Sequence, residues 1–135
     1  MQFRSFVPLI LMLLIMGCSS SDNNSSIDKE YMIKTAKIGI TDTEITEQYG
    51  EDYFEEYVDG VDVWLFSKTK SDFSYNPDLN RVEYDEIKKG NIEYQLFVLL
   101  KDKKAFMYSY FYKNGEIWQY VLNPDGTRLE SQVSH

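Results

Sequence analysis

The chain has 135 residues, with 22 Asp and Glu against 14 Lys and Arg, and carries a formal net charge of −8. That balance argues against nucleic acid as a partner and against electrostatic docking on anionic lipid head groups. A single cysteine excludes an internal disulfide, and a single histidine, His135 at the last position, leaves no Cys–His or Ser–His–Asp nucleophile and no ordinary zinc set.

The N-terminus reads as an export signal. Arg4 supplies positive charge, Phe6 to Met16 is apolar apart from Pro8, and Gly17 is the small residue needed before a cleavage site. The run falls short of the roughly 20 apolar residues that span a bilayer. The segment from Ser19 to Ser26 is polar and reads as a tether. Ile15-Met16-Gly17-Cys18 resembles the lipobox of bacterial lipoproteins. The resemblance implies removal of residues 1–17 and attachment of a diacylglycerol to Cys18. Two acyl chains then hold the protein on a bilayer, each buried CH₂ contributing about 0.8 kcal/mol. Ser19 after the cysteine fits passage to the outer membrane, by resemblance to enterobacterial lipoproteins. A plasma-membrane lipoprotein uses the same box. The expected organisation is signal 1–17, tether 18–30, one domain 31–126 and a frayed tail 127–135. Without 1–17 the chain loses only Arg4 among its charges, leaving 13 basic residues against 22 acidic ones.

Residues 31–37 suit either a short helix or a lead-in turn. Thr41 is a candidate N-cap with Glu44 three residues on, Ile40 and Ile45 fit a hydrophobic staple, and Gly50 is a stop, so the pattern predicts a helix over 42–49. Asp59-Gly60 between two β-prone runs predicts a hairpin of 53–58 with 61–66. Residues 67–76 read as loop. Over 77–89, Asn76-Pro77-Asp78 and Lys88-Lys89-Gly90 favour a helix, while Val82, Tyr84 and Ile87 also suit a strand. Strands are predicted at Ile92 to Leu100, Ala105 to Tyr112 and Glu116 to Leu122. They are joined by Lys101-Asp102-Lys103-Lys104 and Asn114-Gly115, and ended by Asn123-Pro124-Asp125-Gly126.

Gly39-Ile40-Thr41, Ile45, Tyr49-Gly50 and Trp64-Leu65-Phe66 resemble the pattern of the small outer-membrane assembly lipoproteins of the BamE/SmpA type. That pattern reads Gly-Met-Thr, an aliphatic, Leu-Gly-x-Pro and Trp-x-Tyr; Asp52 stands where the family has proline. The resemblance implies a β-lactamase-inhibitor-like fold and, by analogy only, an assembly role. The expected fold class is α+β, with one or two short helices packed on a 4–5-stranded antiparallel meander.

No glycine-rich phosphate loop is present. Glu51, Asp52, Glu55, Glu56, Asp59 and Asp62 cluster next to turns and read as solvated charge rather than a catalytic pair. Neither they nor Asn123 and Asp125 have the spacing of a calcium loop. No cofactor, metal or catalytic residue is therefore expected. Trp64 reads as core. Tyr108, Tyr110, Tyr112, Trp118 and Tyr120 form a candidate partner-binding face, with packing beneath a helix as the alternative. The expected function is a non-enzymatic protein-binding or assembly module anchored through Cys18. The alternatives are an inhibitor of an envelope-directed enzyme and a ligand-sensing accessory lipoprotein.

Overall fold

The computed structural model describes residues 27–134. The segment read as signal, 1–17, Cys18, residues 19–26 of the expected tether 18–30 and His135 lie outside them. Residues 27–30 of that expected tether belong instead to the domain, with Ile27 7% exposed and the first helix starting at Lys29. Six strands form one antiparallel sheet in sequential order: β1 (Phe54–Val58), β2 (Val61–Thr69), β3 (Ile92–Lys101), β4 (Lys104–Asn114), β5 (Glu116–Leu122) and β6 (Arg128–Gln132). Helices α1 (Lys29–Thr35) and α2 (Asp42–Tyr49) precede the sheet, and α3 (Tyr84–Lys89) lies between β2 and β3.

Local chemistry accounts for each helix boundary. Asp28 accepts from the Tyr31 amide at 2.8 Å and caps α1. Thr41 caps α2 through Glu44 N–H at 3.3 Å, and Gly50, at φ 94°, ends it. Gly39 N donates to Ala105 O at 2.7 Å and Asp42 N to Lys103 O at 3.0 Å, so the entry to α2 is tied to the start of β4. The turns match the strand twist. Asp59 and Gly60 both have positive φ, as do Asp102 and Lys103, which is the geometry of a two-residue type I′ hairpin.

The sheet has two apolar faces and each has its own cover. On the first, α1 and α2 bring Met32, Ala36 and Ile45, all 0% exposed, onto Phe66, Leu96, Val98 and Tyr108. Burial on this scale stabilises by about 1.5–3 kcal/mol per large side chain. On the second, α3 and the preceding loop place Ile87, Leu79, Val82 and Phe73 over Leu65, Phe97, Phe111 and Ile117.

The expected one or two helices on four or five strands are corrected to three helices and six strands. The added strand is β6, in the segment read as a frayed tail. All five of its residues are exposed, so it carries no alternating apolar signal. Asn123 to Thr127 forms a turn closed by Asn123 N to Thr127 O and Gly126 N to Asn123 O, both 2.9 Å. Arg128 then anchors the strand with bonds to Tyr120 Oη at 2.8 Å and to Ile33 O at 3.1 Å.

The helix expected from residue 77 begins only at Tyr84. Leu79 and Val82 dock on the sheet, and the Gln95 side chain takes the Glu83 amide at 2.9 Å, which holds residues 77–83 off a helical path. The lead-in at 31–37 resolves as α1 through Thr35. Two register shifts reset side-chain parity. One, at Glu93, turns Ile92 to the second face. The other skips Phe106, so Ala105 rather than Phe106 joins the first core.

Candidate binding surfaces

The five aromatic residues expected as a binding face do share one face of β4 and β5, as their register requires: Tyr110 lies opposite Tyr120, and Tyr112 opposite Trp118. That face is the one α1 covers. Tyr108, Tyr110 and Tyr120 are 0%, 3% and 6% exposed. Their hydroxyls are committed: Tyr108 donates to Lys37 O at 2.9 Å, Tyr110 donates to Ile27 O at 3.0 Å, and Tyr120 accepts from Arg128. Burial pushes the Tyr108 phenol up to about 12 and raises Tyr110 further. Three of the five therefore belong to the core under α1.

Tyr112 and Trp118 remain at the margin. Tyr112 donates to Glu130, and Lys29 reaches the same carboxylate at 2.7 Å while lying 5.4 Å over the Tyr112 ring. The Lys29 ammonium holds the Glu130 carboxyl below its ordinary value, and Glu130 raises Lys29 in turn. Trp118 Nε1 donates to Asn114 O at 3.2 Å. Lys29 and Tyr112, meeting at Glu130, fasten α1 and β4 to β6.

The opposite face offers the open surface. There α3 and residues 70–83 cover only one end of β3 to β5. Beyond them lies a groove of about 270 Å³, walled by Val63, Leu99, Met107 and Phe97 and by Leu79 and Val82 of the loop. Asn80, Arg81 and Ser109 supply its few polar groups. Register puts Leu129, 60% exposed, on the same side opposite Val121. Sequence reasoning missed this face. The available signal was β3, where Phe97 and Leu99 are apolar on one parity while Leu96, Val98 and Leu100 are apolar on the other. A strand apolar on both faces needs two covers.

Among the described residues, no three His, Cys, Asp or Glu side chains converge as a metal site. No helix there is long and apolar enough to cross a membrane. Cys18 lies outside the described residues. Comparison with protein-family models, with curated proteins and with solved structures gave no match.

Proposed function

We propose that this chain is a lipid-anchored protein of the bacterial envelope, on the outer membrane, that acts without catalysis by holding a protein partner on the open half of its sheet. The observation that carries the reading is the groove. Val63, Leu99 and Met107 are only partly buried along it, and Leu129 is 60% exposed on the same face. A partly open apolar groove gives an anchor side chain of a partner a pocket to fill. Glu56 lies opposite Val63 and so flanks the groove, and the surplus of carboxylates favours a partner with basic residues around its apolar anchor. Attachment is assigned to Cys18 through the lipobox, and the likeness of residues 38–66 to the BamE/SmpA pattern supports an assembly role. Tyr49, Trp64 and Phe66 of that stretch pack in one cluster with Ile45.

A photo-crosslinking residue placed at Met107 in intact cells should trap one recurrent protein, and the same residue at Lys34 on α1 should not. Leu99→Glu should abolish the adduct. A Cys18→Ser chain should leave the membrane fraction or remain uncut. Equal, diffuse labelling at both positions would end the partner reading, and a membrane-bound, correctly processed Cys18→Ser chain would end the anchor reading.

A further inference from the structure

A second pocket, sharing no residue with the groove, opens on the same side of the sheet where β1 and β2 meet the loop after β2. It encloses about 200 Å³ between Phe54 of β1, Ser67 and Thr69 of β2, and Phe73 and Tyr75 of the loop, with Asp52 at its edge. That is below the usual size of a drug-like site and suits a single small ring.

Its floor is built from the core outward. Gln95, 0% exposed, accepts the Glu83 amide on Oε1 at 2.9 Å. This fixes the side-chain amide, so Nε2 donates to Tyr75 Oη at 3.1 Å. Tyr75 must then spend its own hydrogen on Ser67 Oγ, at 2.9 Å. Ser67 receives that bond, and its own hydrogen has no protein acceptor among the described residues. A fully buried glutamine is thus used to hold a tyrosine and a serine in one orientation, and the relay ends in a free donor at the pocket wall.

The walls are aromatic. Phe73 and Tyr75 stack with centroids 5.9 Å apart at 29°, and Phe54 meets Tyr75 at 6.4 Å. Phe54 is one of three large apolar side chains left exposed among the described residues, at 41%.

The composition of the pocket excludes several ligands. One carboxylate is too few for a divalent cation. No Lys or Arg lines it, and Asp52 repels an anion. Free hydroxyls on Thr69 and Ser74 disfavour a purely apolar guest. What remains is a ring with a C–H face for the aromatics and hydroxyls for the floor. We infer that this pocket binds a pyranose sugar, one residue of a glycan chain, neutral or carrying a protonated amine that Asp52 would pair. This holds whether or not the groove takes a protein partner.

The test is calorimetric titration of the full chain, in a detergent without a sugar head group, with cellotetraose, with its tetra-amino analogue, and with sorbitol as an open-chain polyol. The expected result is a Kd of about 1 mM or tighter for a tetrasaccharide and none measurable for sorbitol. Phe73→Ala should weaken binding at least tenfold. Tyr75→Phe, which keeps the ring and cuts the relay, should weaken it about fivefold with the melting curve still cooperative. Asp52→Asn should reduce binding of the amino sugar alone. Met107→Glu, in the groove, should leave all of these values unchanged. Absence of heat with both tetrasaccharides, equal binding of sorbitol, or unchanged affinity in Phe73→Ala would each overturn the inference.

Discussion

Raising the pH should unfold this domain through its buried tyrosines. Tyr49, Tyr94, Tyr108 and Tyr110 are 7%, 5%, 0% and 3% exposed. Burial pushes Tyr94 and Tyr108 up to about 12, and Tyr49 and Tyr110 higher still. The ordinary value is 10.0. A folded value above the unfolded one means that stability is complete below pH 10 and is lost as pH rises toward and through 12. Within that window the unfolded chain releases protons that the folded chain keeps. Each tyrosine then removes about 1.4 kcal/mol of stability per pH unit. At pH 11 the four together remove about 5–6 kcal/mol, comparable to the whole stability of about 5–15 kcal/mol expected for a domain of this size. The expected outcome is cooperative loss of the sheet's circular dichroism near pH 11, coincident with a jump in tyrosinate absorbance. Tyr110→Phe gives an internal control. At pH 8 it costs about 1 kcal/mol, because Ile27 O loses its donor, whereas by pH 11 the missing ionisation returns about 1.4 kcal/mol. The variant should therefore be less stable than the parent at pH 8 by urea unfolding, yet lose its sheet signal at no lower a pH than the parent. Smooth ionisation of all tyrosines near pH 10 with the sheet signal intact would refute the reasoning.

Two further outcomes follow from the same packing. Ile45→Ala, at a site with no exposure beneath α2, should cost about 2–5 kcal/mol in urea unfolding, and a loss below 1 kcal/mol would show that α2 does not close the first core. Arg128→Gln should raise hydrogen exchange in β6 selectively, because the side chain that ties the strand to Ile33 O and Tyr120 Oη is shortened and uncharged; unchanged protection at residues 128–132 would place the hold on β6 in the backbone ladder alone.

Where signals were local, the residues spoke for themselves. Thr41, Glu44 and Gly50 delimit α2 because a cap needs only a hydroxyl and a turn needs only a glycine at the right spacing. Asp59-Gly60 encodes a hairpin because positive φ is needed at both positions. The likeness of residues 15–18 to a lipobox is likewise a contiguous pattern, and the acidic charge balance argues against nucleic acid without reference to any fold. Tertiary structure decided the rest. β6 has no burial pattern of its own and exists because β5 offers it a ladder and α1 offers Arg128 its acceptors. Residues 77–83 carry helix-start chemistry, yet Gln95, twelve residues beyond Glu83, takes the Glu83 amide and holds the chain off the helix. The tyrosines of β4 and β5 have the composition of a binding face, but their exposure depended on where α1 landed, which no property of β4 or β5 encodes. The groove and the pocket exist for the same reason. They are the part of the second face that one short helix and one loop are too small to cover, and such a shortfall is visible only once both covers are in place.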